Sequence, residues 1–579
     1  MKRLMFTASL VLPLAALMAN ELTSSDSWPQ WAKNPQHSGF IQASGQSASH
    51  KLAEMPYDPF VYQEKLDTFG ELLAHYQVPL IESNSVYMEF KTGKWIPCQP
   101  PLAWQKGAAC GPNTWDKEIW NEKRLDWQQG KLVEKWIYDT DWKPEPNALN
   151  ADALLPSGWE PVFHSVLTGE FVYVPGFGGT VWKVNKSDGK AVSRINPFGT
   201  WIDGNKYVSG PLTADSQGDV YYNVMKLDPT NPWIKDVLGS WLVKVAADGT
   251  ASTVTFKKLT NGAPGGTDKC PLFFTQQNTL PWPPSPNAKP IDIPCGTQRP
   301  GVNVAPAIAP DGTIYTVSRA HLDLTVGYLI AANRDLTPKW HASLAKLLHD
   351  GCGFLVPIAT APNQPNACRE GATPGVDPTT NDWGSGWIPD QASSTPTVLP
   401  DGSVLMGVLG HYNSGRGHLM KFSDVGTFLG AYDFGWDSTA AVYPHDGTYS
   451  IVIKDNHYPG GLYCNFYGNP ICTPRPPGPY YVTQISADLK LEWRFKNTTT
   501  DKRHPNGYEW CINAPAIDAN GVVYVNSEDG NVYVFGQGGK LQSKLFLQLA
   551  VGAAYTPLSL GPDGKIYTQN DGVLFVVGQ

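Results

Sequence analysis

Residues 513–547 read NAPAIDANGVVYVNSEDGNVYVFGQGGKLQSKLFL, and within them apolar positions alternate with polar ones in four short runs. The period of two predicts strands at Ala514–Ile517, Val522–Val525, Val532–Phe535 and Leu541–Leu547. Asp518–Gly521, Glu528–Gly530 and Gly536–Gly539 lie between them and carry turn chemistry, because Gly and Asn reach positive φ at little cost. Runs joined in this way form an antiparallel meander. One such sheet has two open edges and two apolar faces, so it needs neighbours.

The same pattern recurs along the chain: a small residue with Pro and an apolar pair, a D-G or N-G turn, then an apolar strand that often holds Tyr. Copies are Val78-Pro79-Leu80 with SVYMEF, Glu160-Pro161-Val162 with EFVYV, Gly210-Pro211-Leu212 with GDVYYNV and Ala305-Pro306-Ala307 with PDGTIYTV. Three more are Thr395-Pro396-Thr397 with PDGSVLMGV, Thr439-Ala440-Ala441 with HDGTYSIVI, and Thr556-Pro557-Leu558 with PDGKIYTQ. With the reference copy they number eight. Four-stranded units repeated so often stack radially, which predicts an all-β, eight-bladed β-propeller of antiparallel blades. Seven blades result if the irregular Val78 copy is set aside. The last copy ends at Gly578-Gln579 after its third strand, and Asp58–Leu66 (DPFVYQEKL) is the expected N-terminal strand that closes the ring.

Composition narrows the class. The 579 residues carry 44 Lys plus Arg against 52 Asp plus Glu, a net charge of −8, with no basic stripe to neutralise phosphates, so no nucleic-acid partner is expected. Met1–Ala19 has a basic start, an apolar run and small residues near Ala15, Ala16 and Ala19, which predicts a cleaved secretory signal. The run is shorter than the ~20 residues of a bilayer span, so no membrane span is expected. The expected division is a signal peptide at 1–19, an N-terminal strap at 20–57 that contains WPQWAKNPQHSGF, and one propeller at 58–579. A short helix is expected at Asp67–His75. The mature protein is expected to be periplasmic or secreted.

Nine cysteines agree with export. Eight fall in close pairs: Cys98 with Cys110, Cys270 with Cys295, Cys352 with Cys368, and Cys464 with Cys472. Local disulfides are the simplest assignment for them. Cys511 is left over and reads as a buried thiol. In a four-stranded blade, the first-to-second and third-to-fourth turns share one face of the ring, and these are minimal here. The other face receives Thr92–Lys117, Asn223–Ser240, Asn261–Asn303, His349–Ser393, Lys454–Pro479 and Asn497–Cys511. Loops longer than about 12–15 residues in a compact domain are usually functional or disordered, and stapling argues against disorder. Function is therefore expected on the long-loop face.

The repeat, the exported start and the WPQWAKNPQHSG opening resemble the pyrroloquinoline-quinone-like (PQQ-like, or quinoprotein-like) propeller family. So do blade ends such as Leu125-Asp126 through Gly130-Lys131 to Trp136, and Asp488 to Trp493. The resemblance spans roughly residues 28 to 579. It implies a Gly–Trp contact docking neighbouring blades, which Gly130 with Trp136 fits and Trp340 and Trp493 fit in part. The family holds both quinone-dependent dehydrogenases and non-catalytic members, among them the outer-membrane assembly lipoprotein, so it does not settle function.

The enzyme reading requires PQQ with calcium at the ring centre, hence oxygen ligands for a hard cation, a carboxylate base and a cation beside the quinone. Glu160, Asn303, Glu509 and Asn513 are the candidate cofactor-binding residues. Asp437, in Gly435-Trp436-Asp437-Ser438, resembles the family's catalytic aspartate context, and Arg319 is the candidate cation. The adjacent-cysteine ring of the dehydrogenases is missing, since no two cysteines are neighbours. The bland reading makes Asp437 a loop cap, Glu509 and Asn513 satisfied strand-end polars and Arg319 a surface ion pair.

A second chemistry is a His-ligated transition metal such as copper, from His321, His349, His411, His457 and His504, all assigned to the long-loop face. Lone histidines are more often exposed or locally bonded, and His164 reads as a core histidine. The third reading is a binding surface for a ligand or protein, built from Trp159, Trp201, Trp233, Trp383 and Trp387 with Tyr412, Tyr458, Tyr463, Phe466 and Tyr467. Those rings would otherwise pack the loops onto the ring. Gly176–Gly179 has no helix behind it to make a phosphate site, and His411–His418 lacks a nucleophile elbow. The preferred reading is a binding propeller, with a PQQ/calcium dehydrogenase of alcohols second.

Overall fold

The computed structural model describes residues 27–67, 77–97, 115–145, 162–272, 290–349, 375–377, 380, 382–390, 393–410, 413, 416–458, 478–549 and 557–579. It contains eight blades of antiparallel strands. Blades 1 to 7 span 80–139, 166–195, 206–255, 298–343, 397–432, 441–496 and 516–546, and blade 8 combines 559–578 with His50–Pro56. In the reference copy the strands are Ala516–Ile517, Val523–Asn526, Asn531–Gly536 and Lys540–Phe546, close to the expected positions.

The ring is closed by an N-terminal strand, but not by the expected one. His50–Pro56 pairs with Val573–Gly578 as the fourth strand of blade 8. Asp58–Leu66 instead turns into the helix Val61–Asp67, where the Asp58 carboxylate accepts from the Phe60 N–H at 2.9 Å. The helix expected at Asp67–His75 lies, past Asp67, outside the described residues. Blade 2 is also shifted: its inner strand is Val166–Thr168, and the Pro161-Val162 step lies upstream of it. In blades 3 and 4 the inner strand is broken into two pieces that pair with one neighbour. At that break Gly210 lies against the Asn303–Val304 backbone, where a Cβ would sit 2.9 Å from the Asn303 carbonyl carbon.

The strap organises all of this. The innermost strand of each blade is an edge that faces the channel, and its N–H and C=O groups need partners. Trp28 exchanges backbone hydrogen bonds with Ile81 of blade 1 (2.7 and 2.9 Å), and the Leu167 N–H of blade 2 donates to the Pro29 carbonyl at 2.9 Å. The Gln30 side chain brackets Ala214 of blade 3 on both N–H and C=O. Ile308, Val398, Val442 and Ile517 then donate in turn to the carbonyls of Pro35, Gln36, Ser38 and Gly39, and Gln46 reaches Gly564 of blade 8. One continuous segment thus visits every blade in chain order. Trp28, Trp31, Ala32 and His37 of this segment are all buried.

Connections follow the expected asymmetry. Every long excursion in the described chain joins second to third strands or one blade to the next, and therefore leaves from the face opposite the strap. Of the four expected disulfides, Cys270 with Cys295 is formed, within a two-stranded ribbon on that face. The other three expected pairs, Cys98 with Cys110, Cys352 with Cys368, and Cys464 with Cys472, lie outside the described residues.

The Gly–Trp contact is present with a different partner. Trp136 packs on Gly189 of the next blade, not on Gly130, and its indole N–H donates to the Lys186 carbonyl at 2.7 Å. Trp340 meets Gly426 in the same way, with its N–H on the Asp424 carbonyl at 2.7 Å, and Trp493 meets Gly539. At each of these glycines φ is positive, and a Cβ would sit 2.7–2.8 Å from the indole. Gly402 has a matching φ of +82° but open space around it. Gly426→Ala is therefore expected to cost about 1–3 kcal/mol more than Gly402→Ala, since only the former adds overpacking to backbone strain. Denaturant unfolding midpoints check this, and equal losses would remove the blade-docking role of the contact.

Candidate functional site

The inner strands begin on the long-loop face, and the residues just before them make a ring of blade-to-blade hydrogen bonds. Ser165 N–H donates to the Gln77 side chain, Asn303 N–H to the Ser209 carbonyl and Thr439 N–H to the Asn513 carbonyl. Between blades 5, 6 and 7 this ring becomes a cluster that gathers Asp437, Asn513 and Glu509, three residues of the sequence-derived set.

Asp437 sits at φ +46°, a conformation that loops built around a functional or packing constraint tolerate. Its carboxylate is 1% exposed. One oxygen accepts from the Ser393 N–H (2.8 Å) and the Asn513 amide (3.1 Å), and the other pairs with the Lys454 ammonium at 3.1 Å. The Asn513 side-chain oxygen accepts from the Thr439 hydroxyl at 3.1 Å.

Beside this pair lies an acidic patch. Burial first, then repulsion from Glu528, pushes the Glu509 carboxyl up to about 8, and Lys454 and the Tyr458 and Tyr480 hydroxyls only partly offset it. Glu509 nevertheless keeps some accessible surface. The Cys511 thiol donates to Glu528 at 3.2 Å. Burial and the two nearby carboxylates hold it well above the usual thiol range, which agrees with a buried, unreactive cysteine.

The remaining candidates lie elsewhere. Arg319 is not on the surface: it is 2% exposed and pairs with Asp390, which Arg299 also grips with two nitrogens at 2.7 and 2.6 Å. His321 belongs to the same cluster, with Nδ1 accepting from Arg299 and Nε2 donating to the Pro232 carbonyl. Burial and the two guanidiniums push its pKa down to about 3. Asn303 is buried at φ +63° between blades 3 and 4. His349 stacks on Trp383, His457 lies 3.3 Å from Asp455, and His504 pairs with Asp501 at 2.9 Å and stacks on Tyr508. Each of these histidines has its own local neighbour, and among the described residues no three His, Cys, Asp or Glu side chains form a group able to hold a metal ion. Glu160 and His411 lie outside the described residues.

Of the aromatic crown, Trp201 is 81% and Trp383 47% exposed, whereas Trp387 is buried and Trp233 stacks on His321. Trp201, Ile234 and Leu238 come from two adjacent long-face connections and are all exposed. Trp159, Tyr412, Tyr463, Phe466 and Tyr467 lie outside the described residues. Sequence reasoning missed Lys454, Glu528 and Asp390, each meaningful only through a partner that no local spacing links to it.

No protein-family model matches the sequence, and no curated protein sequence matches it. Among solved structures, a quinohemoprotein alcohol dehydrogenase from Comamonas testosteroni superposes with a TM-score of 0.50 at 11% identity, covering 97% of this chain and 82% of that one. A quinohemoprotein alcohol dehydrogenase from Pseudomonas putida gives 0.46 at 11% identity, covering 96% and 76%. At this identity the first likeness speaks for the fold alone. The chain has the quinoprotein-like propeller fold.

Asp437, Asn513 and Arg319 do not fit a calcium–quinone pair. Calcium takes six to eight oxygen ligands. Here Asp437 and Asn513 are spent on each other and on Thr439, and an ammonium, Lys454, already neutralises the carboxylate. Arg319 is committed to Asp390.

The raised Glu509 carboxyl has a checkable consequence. Its folded pKa lies above its ordinary value, so the folded state keeps a proton that the unfolded chain releases. Its contribution is complete below about pH 4.5 and is lost as pH rises through about 8. Glu509→Gln should leave stability near pH 5 almost unchanged and gain on the order of 1–3 kcal/mol relative to the parent at pH 9. Melting curves at the two pH values read this directly. A gap that is constant with pH would show that Glu509 titrates normally.

Proposed function

We propose that this protein is an exported quinoprotein-like propeller that binds a ligand or protein partner through its long-loop face and carries no quinone chemistry of its own. The observation that supports this reading is the state of Asp437: a 1% exposed carboxylate holding an ammonium, an amide and a backbone N–H offers no free oxygen to deprotonate an alcohol. Exposed aromatics on the long-face connections, led by Trp201 and Trp383, supply contact area at low entropic cost. Export is supported by the basic-then-apolar start and by the Cys270–Cys295 disulfide, which suits an oxidising compartment.

The second reading, a PQQ/calcium-dependent dehydrogenase of alcohols, is favoured by the likeness in fold to a quinohemoprotein alcohol dehydrogenase. Two measurements on purified protein separate the readings. Added quinone and calcium should give no stoichiometric absorbance change and no alcohol-dependent dye reduction. Glycan and peptide arrays should show a preferred ligand whose binding falls at least tenfold in the Trp201→Ala/Trp383→Ala double variant but not in Val192→Ala on an outer strand. Turnover that disappears in Asp437→Ala would overturn the proposal.

A further inference from the structure

Where the closing strand hands over to blade 1, a lysine and an aspartate are held together out of water. Lys91 Nζ lies 2.8 Å from one oxygen of the Asp58 carboxylate, and both side chains are 0% exposed. The backbone fixes both partners. The Lys91 N–H donates to the Tyr57 carbonyl at 2.8 Å, and the Tyr57 and Asp58 N–H groups donate to the Gly572 carbonyl of blade 8 at 2.8 and 3.2 Å. The Asp58 carboxylate also accepts from the Phe60 N–H, through Oδ1, at 2.9 Å. Residues 57–58 therefore already bridge blade 8 to blade 1 at the seam of the ring.

The strand register brings an acid to the same place. Lys91 stands opposite Trp120, and Gly93 opposite Glu118. Side chains alternate along a strand, so Lys91, Trp120 and Glu118 share one face of blade 1. Glu118 is the diagonal neighbour of Lys91, a separation that long side chains span. Lys91 Nζ lies 5.5 Å from the centre of the Trp120 ring. Glu118 is 0% exposed, and neither of its carboxylate oxygens has a hydrogen-bond partner among the described residues. Burial, only partly offset by Lys91, pushes its carboxyl up to about 8, so it keeps its proton at neutral pH. Burial works against the Lys91 charge too, but Asp58 first, then Glu118, Glu64 and Glu89, hold its pKa above the ordinary range. The reactive amine therefore forms by passing its proton to Asp58 within the pair. A dry contact between a lysine and an aspartate beside a carboxylic acid has the parts of an amide-forming site: nucleophile, electrophile and proton donor.

We propose that Lys91 Nζ and Asp58 Cγ join in an intramolecular isopeptide bond, with Glu118 as the acid. Proton transfer within the pair leaves a neutral amine and a neutral carboxyl group. The Nζ lone pair attacks Cγ, and the Phe60 N–H stabilises the negative charge that develops on Oδ1. The N–C bond forms as the bond from Cγ to Oδ2 breaks. Glu118 gives its proton to the departing hydroxyl and its carboxylate then takes one from Nζ. One water leaves, Glu118 ends as it began, and no oxidant or co-reactant is consumed. The bond fastens the closing strand to blade 1, and it is independent of the long-loop-face binding proposed above. A second buried pair, Lys454 with Asp437, is assigned no bond, because the Ser393 N–H, the Asn513 amide and Lys454 together stabilise that carboxylate as the anion.

The full chain and its Lys91→Arg, Asp58→Ala and Glu118→Gln variants are purified, reduced, denatured and weighed by intact-mass spectrometry, with peptide mapping to establish the N-terminus and locate any branch. The parent should be one water lighter than its composition and should yield a branched peptide joining Lys91 to Asp58. Lys91→Arg and Asp58→Ala should have their full mass and a lower thermal unfolding midpoint. Glu118→Gln should remain mostly unbranched, and complete branching in it would remove Glu118 from the step. If the variants do not fold, the branched peptide of the parent decides alone. A parent of full mass, or a lost water traced to any other residue, overturns the proposal.

Discussion

The structure depends on one run of hydrogen bonds, from Trp28 to Gln46, that touches all eight blades. A propeller has two weak places: the seam where the last blade meets the first, and the channel, where every inner strand presents an unpaired edge. His50–Pro56 closes the first and the strap closes the second. Because one continuous segment does both, the N-terminus cannot finish docking until blade 8 has formed. Ring closure and channel filling are then a single cooperative event, with loop-closure cost concentrated in it.

That constraint decides which face is free to vary. The strap occupies the ends of the inner strands next to the tight D-G turns, so insertion there would break its register with eight partners. The opposite ends carry no such restriction, and the long connections, the Cys270–Cys295 ribbon and the Asp437 cluster all lie there. The quiet face and the elaborated face thus have one cause.

What could be read along the chain was whatever is local. Seven of the eight repeat copies announce themselves at the right place because alternation and the turn that follows fit within about twenty residues. Blade 2 is displaced because its inner strand, Val166-Leu167-Thr168, has no proline, while Pro161 imitates the signature upstream. The closing strand is hidden in the sequence for a similar reason. HKLAEMP lies on the outer rim, where most of its side chains face water, so it lacks alternation, and VYQEKL supplies a false version of it in a helix. In the docking contact the tryptophans were legible, but Trp136 rests on Gly189 of the next blade and nothing local distinguishes Gly189 from Gly130.

The candidate site was legible only in halves, and the missing halves explain its chemistry. Asp437, Asn513 and Glu509 stand at the mouths of inner strands, a position any propeller makes prominent. Their character is set by residues that no spacing rule connects to them: Lys454 in the second strand of blade 6 and Glu528 in a turn of blade 7. An aspartate beside a bound cation and one beside a lysine look identical in sequence, yet the first can remain open to substrate and the second here is closed. In a closed ring, chemistry is written in which blades face each other, and that is fixed by the ring as a whole.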